Sequence, residues 1–113
     1  MLAVGAALAM RKNLEALNRE LREQNLPGLA HGIGIHTGQV LAASIGSPER
    51  LSYALVGDTV NLAARLQELN KTYGTDIIIS EKTYAHIAHA YDVSWLDAAD
   101  VRGRTQPVSI YSI

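Results

Sequence analysis

Apolar residues recur at intervals of three and four near the start of the chain, at Met10, Leu14, Leu17 and Leu21. Arg11, Lys12, Glu15, Arg19, Arg22 and Glu23 fill the positions between them. That period predicts one amphipathic helix over residues 2–24, opening on a segment to be buried. Asn25, Pro27 and Gly28 close it. The period then shortens. Leu29 to Ile45 reads as a β-hairpin, LAHGIGIH and QVLAASI, around a Thr37-Gly38 turn. Alternation puts Ile33 and Ile35 on one face of the first strand and Gly32 and Gly34 on the other. Two glycines on one face let a helix or a ligand come close to the backbone. A loop, GSPER, follows.

Leu51 to Leu69, LSYALVGDTVNLAARLQEL, organises the rest. Residues 52–56 form a short apolar strand, Gly57 turns the chain, and Asp58 is a good helix N-cap. Leu62, Leu66, Leu69 and Tyr73 define a buried helical stripe. Asn61 and Arg65 lie four apart on one flank beside it. An amide and a guanidinium there either solvate the flank or form an anion site. Spacing alone favours solvation.

Gly74 ends that helix and leads into a buried strand, Asp76 to Ile79. Ser80 caps a short helix running from Glu81 to about His89. Residues 91–113 carry short strands, with Trp95 and Leu96 expected in the core and a turn at Arg102-Gly103-Arg104. Val108, Ile110 and Ile113 bracket an expected edge strand that starts after Pro107. Helix, hairpin, strand, helix, strand, helix and strands predict an α+β sandwich, helices on one face of a largely antiparallel sheet. Residues 1–113 read as one unit.

Composition narrows the chemistry. With 113 residues and 48% hydrophobic content, the chain can build one core. A net charge of −1 gives no electrostatic case for nucleic acid or an anionic membrane. The absence of cysteine removes disulfides, thiolate catalysis and cysteine-based zinc sites, and fits a reducing compartment. The opening MLAVGAALAM has its basic residues behind it, unlike a secretory signal, and is shorter than the roughly 20 residues that cross a bilayer. GIGIHTG is misspaced for a dinucleotide fingerprint. His31 and His36 fall on opposite strand faces, and His86 and His89 have no third ligand beside them, so no metal site is expected.

GIGIHTGQVLAASIGSPERLSYALVGDTVNLAARLQ resembles the catalytic domain of the class III adenylate and guanylate cyclases in its bacterial form. YALVGDTVNLAARL keeps strand, GDTVN and AAR in continuous register, and VRGRTQPVSIYSI is similar to the closing segment of that family. The resemblance implies a ferredoxin-like two-layer α+β sandwich that converts ATP to cyclic AMP and pyrophosphate. It implies that Asn61 orients the ribose, that Arg65 stabilises charge on the α-phosphate, and that Arg104 holds the outer phosphates. Ala54 and Leu55 would line the base pocket. Arg104 stands where a lysine is usual, replacing a point charge with a planar fork. Ala54 stands where a polar side chain usually meets the base, so adenine and guanine are not distinguished there.

In that family two aspartates bind magnesium or manganese from a strand and a hairpin ahead of the first helix seen here. The resemblance therefore implies the C-terminal portion of a cyclase domain, truncated at its N-terminal strands. Such a portion has no metal ligands of its own and is inactive alone. It also implies a second cyclase domain as partner, a site shared across the dimer, and a cytoplasmic location without membrane contact by this segment. The alternative is a non-catalytic cyclase-homology domain for dimerisation or nucleotide sensing.

Overall fold

The computed structural model describes residues 2–38, 41–45, 52–56, 58–99 and 107–113; for residues 41–45, 52–56 and 58 it describes the backbone. In chain order the elements are α1 (Leu2–Glu23), β1 (Ile33–Ile35), β2 (Leu41–Ile45), β3 (Ser52–Val56), α2 (Asp58–Tyr73), β4 (Ile77–Ser80), α3 (Glu81–Ile87), β5 (Ser94–Ala99) and β6 (Val108–Ser112). Four strands make one sheet in the order β1-β4-β6-β5, and β2 and β3 pair separately. The β1–β4 pairing is parallel, while β4–β6, β5–β6 and β2–β3 are antiparallel. The α+β class and the mostly antiparallel sheet agree with the sequence pattern.

Strand β4 is the centre of the packing. Ile77, Ile78 and Ile79 are all fully buried, which a strand achieves only when both its faces are covered. Ile78 joins Leu62, Leu66 and Leu69 of α2, with Val108 and Ile110 of β6. Ile77 and Ile79 join Val4 and Ala7 of α1 and Ile87 of α3 on the opposite face. The helices thus divide between the two faces, rather than sharing one. Period-two alternation through IIIS, apolar at every inner position, leaves no face for water.

Three other expectations change. Among the described residues the two strands expected to form a hairpin over Leu29–Ile45 do not pair with each other; β1 pairs with β4, and β2 pairs with β3 instead. A bare glycine face on β1 is covered by a helix, and that cover requires the strand to lie inside the layered core. β6 is an interior strand, with β5 outside it at the edge. Pro107 sits just before β6 begins, where its missing N–H costs no ladder bond. Trp95 is 59% exposed, because it lies on that edge strand beside a register irregularity, while Leu96 packs against the core.

Helix α1 also departs from its pattern. Burial is confined to Val4 and Ala7, while Met10 and Leu17 are exposed. A helix of 22 residues is about 33 Å long, whereas the three- to six-residue strands of the four-stranded sheet span about 10–20 Å. The distal half of α1 therefore overhangs the sheet. Arg11, at the overhang, donates from Nε and Nη2 to the two carboxylate oxygens of Asp76 at 2.8 and 2.7 Å. Its Nη2 also donates to the Ile113 carbonyl. The helix ends as its sequence requires, with Asn25 in the left-handed region and Leu26 N–H donating to the Leu21 carbonyl at 2.8 Å.

Gly34 is the tightest point of the fold. A Cβ there would lie 2.4 Å from Gln67 N, 2.5 Å from Ala63 O and 2.9 Å from Leu66 Cβ. Two of these neighbours are helix backbone atoms, which cannot rotate aside. Gly34→Ala is expected to destabilise the fold by about 1–3 kcal/mol, because overpacking outweighs the smaller gain from a less flexible unfolded chain. Urea unfolding of the two proteins measures the difference, and an unchanged midpoint would contradict this packing.

Candidate functional site

Helix α2 carries the sequence-predicted pair, and its placement sets theirs. It runs back along β1: Gly38 lies against Thr59, Gly34 against Ala63 to Gln67, and Gly32 against Gln67 and Asn70. The buried amide of Asn70 fixes the far end. Its Nδ2 donates to the Ile33 carbonyl at 3.0 Å and to the Gln67 carbonyl at 3.2 Å, and its Oδ1 accepts from Thr75 Oγ1 at 2.8 Å. Leaving any of these groups unpaired in the interior would cost about 1–3 kcal/mol, so the amide resists rotation of the helix about its axis. Gly74, at φ 66°, then ends α2 in the left-handed conformation.

With Leu62, Leu66 and Leu69 turned to the sheet, Asn61 and Arg65 face outward, both exposed and one turn apart. The structure therefore places the two on one accessible flank, as their spacing predicts. Arg65 Nη1 lies 3.6 Å from Glu68 Oε2, an i, i+3 contact on the same flank. Ala54 and Leu55 lie on β3, opposite Ala43 and Ala42 of β2, and their side chains are outside the described residues. Arg104, Gly57 and the Asp58 side chain are likewise outside them.

Sequence reasoning missed two contacts around this helix. Tyr73 Oη donates to Asp97 Oδ2 at 2.8 Å, tying the end of α2 to β5. That hydrogen bond is the main reason the phenol titrates above its ordinary 10.0, with desolvation and the Asp97 charge adding to it and the Arg65 charge opposing it. The second is Asn70, which the apolar stripe passes over because the residue is polar. Its position directly after Leu69 puts it on the buried side of the helix, and that periodicity was the available signal.

Two cavities of about 340 and 330 Å³ lie at the other end of α2, near the starts of β1 and β4. Both are lined by His31 and Thr75, and neither includes Asn61 or Arg65. Asn61 and Arg65 are thus exposed and line neither of these two cavities. Among the described residues no group of three or more His, Asp or Glu side chains comes together to hold a metal ion. His86 and His89 are both exposed. Nor is any helix of the described residues long and apolar enough to cross a membrane.

Comparison with known proteins adds a consistent set of likenesses. Residues 2–113 match the family described as adenylate and guanylate cyclase catalytic domain. Adenylate cyclase 1 of Rhizobium meliloti (strain 1021) is 39% identical over 111 residues, covering 98% of this chain and 17% of that protein. The crystal structure of the adenylyl cyclase CyaB from P. aeruginosa has a TM-score of 0.81 at 31% identity, covering 97% of this chain and 56% of that one. The guanylyl cyclase Cya2 has a TM-score of 0.73, also at 31% identity, covering 97% of this chain and 55% of that one. The chain therefore spans little more than half of the solved domains and about a sixth of that Rhizobium relative.

The raised phenol gives a pH test of the α2–β5 tie. Protonated Tyr73 is the hydrogen-bond donor, so its contribution to stability is complete below pH 10 and is lost as pH rises through the elevated folded value. Asp97→Ala is expected to lower the Tyr73 midpoint toward that of a free phenol, read from phenolate absorbance. An unchanged midpoint would remove Asp97 as the cause.

Proposed function

The chain belongs to the adenylate and guanylate cyclase catalytic domain family, and we propose that it forms the C-terminal portion of such a domain and supplies one half of its active site. The observation that carries this is the exposed α2 flank, with Asn61 and Arg65 one turn apart on a helix locked against β1. The substrate is a nucleoside triphosphate. Its ribose 3′-hydroxyl gives up its proton to water as the oxygen attacks the α-phosphorus in line, the bond to the β-phosphate oxygen breaks, and pyrophosphate leaves with that electron pair.

Asn61 offers both an amide N–H donor and a carbonyl acceptor, which suits it to orient the ribose. Arg65 presents a planar guanidinium with several N–H donors in one fork, suited to the charge that builds on the α-phosphate oxygens. Rate enhancement of this kind comes mostly from positioning and charge stabilisation. Arg104 contributes a second cation for the outer phosphates, and Ala54 and Leu55 line the base pocket. Ala54 offers the base no side-chain hydrogen bond. Likeness of equal identity to an adenylyl and a guanylyl cyclase leaves the base to other residues, and ATP is favoured by the adenylate cyclase relatives.

Magnesium or manganese supplies Lewis-acid chemistry in the intact enzyme. The described residues do not fit such a site, so no step is assigned to a metal held here. A second cyclase domain brings the metal-binding carboxylates across a dimer interface, in a cytoplasmic signalling protein.

Two outcomes follow. In the complete catalytic assembly, Arg65→Ala is expected to remove about 3–4 kcal/mol of transition-state stabilisation, a fall in turnover of roughly 10² to 10³. Near-normal turnover would take Arg65 out of the mechanism. The 113-residue chain alone, given ATP with magnesium or manganese, is expected to form no cyclic nucleotide. Product above background in a chromatographic assay would show that the site is not divided.

A further inference from the structure

Asn61, Arg65 and Glu68 follow one another along a single flank of α2, so a carboxylate stands in line with the two groups read as meeting the nucleotide. We propose that Glu68 is a positioning residue for Arg65: it holds the guanidinium on the outer flank and competes with the nucleotide polyphosphate for it. This rests on the reading of Arg65 given above.

Charge and geometry support the assignment. The Arg65 Nη1 to Glu68 Oε2 contact is 3.6 Å, with the side chains 47% and 65% exposed. A single long contact between exposed groups is a weak ion pair, easily exchanged for another anion. Glu68 is also the carboxylate free to make this contact. Asp97, the other acid near this stretch, accepts from Tyr73 Oη through one oxygen and from its neighbour Ala98 N–H through the other, each at 2.8 Å. Glu68 has no other hydrogen bond or ion pair among the described residues.

The consequence differs for binding and for chemistry. In the free protein Glu68 partly neutralises Arg65 and adds negative charge where a polyanion must approach. Once the nucleotide is seated, its phosphate oxygens replace Glu68 at the guanidinium, and Glu68 has no further part in bond making. Its removal therefore acts on the free state and on affinity. The ion pair sits within reach of solvent, so added salt weakens the competition.

The test is steady-state kinetics of the complete catalytic assembly with ATP, comparing the parent with Glu68→Gln, Glu68→Asp and Arg65→Ala at low and high salt. Glu68→Gln is expected to lower KM about two- to fivefold, the range set by exposed ion pairs, with the effect falling on KM rather than kcat. The gain is expected to shrink at high salt, and Glu68→Asp, which keeps the charge, to return KM toward the parent value. An unchanged KM in Glu68→Gln, or an equal loss in kcat and kcat/KM, overturns the proposal. Arg65→Ala separates the two ideas. If it abolishes turnover while Glu68→Gln leaves KM unchanged, the assignment of Glu68 alone has failed. If Arg65→Ala turns over normally, the reading beneath it has failed.

Discussion

The contact between Gly34 and the backbone of α2 is the constraint on which the structure depends. With no Cβ at this position, Ala63 O and Gln67 N can lie where a side chain would otherwise stand. The helix thereby comes near enough for Leu62, Leu66 and Leu69 to reach Ile78 and Ile110 across the sheet. Nothing on β1 itself supplies much apolar area to this face. Closeness substitutes for it, since packing attraction falls steeply with separation. Asn70 then removes the remaining freedom, because turning the helix would strand a buried amide and the Ile33 carbonyl.

Rigidity of the helix is what gives its outer flank chemical meaning. Asn61 and Arg65 are exposed side chains, and exposed side chains are ordinarily mobile. Their Cα positions are fixed by a face that has no slack, so only the side-chain torsions remain to be ordered by a ligand. A site built this way pays its backbone ordering during folding, before substrate arrives. An open flank suits the proposed half-site, because a site completed by another domain must present its groups at a surface.

The layout of the chain was legible where one signal decided the outcome. Gly74 after Tyr73, Ser80 before Glu81 and the leucine stripe of α2 each specify local structure, and the structure follows them. Gly32, just before β1, and Gly34 within it correctly pointed to a close backbone approach. Pairing was harder. Residues 29–45 carry hairpin-like composition, yet β1 finds β4 more than 40 residues away, and no local signal encodes that partner. The stripe on α1 misled because periodicity reports which face is apolar, and not how far the sheet extends beneath it. Trp95 misled because large aromatic residues are usually buried, whereas an edge strand leaves one side uncovered. For the site, spacing alone placed Asn61 and Arg65 together but could not distinguish a solvated flank from an anion site; the family likeness is the ground on which the anion site is proposed. Arg104 lies beyond the described residues, and the base-lining residues are described only by their backbone.

The proposal that this chain contributes the ribose- and phosphate-facing half of a shared nucleotide site can be checked by complementation. The chain is mixed with a cyclase domain that keeps its metal-binding aspartates but has the asparagine and arginine equivalent to Asn61 and Arg65 replaced by alanine. Each component alone is expected to be inactive, and the mixture is expected to form cyclic AMP from ATP in proportion to the mixed dimer. A mixture that dimerises, measured by light scattering, yet makes no cyclic nucleotide would contradict it.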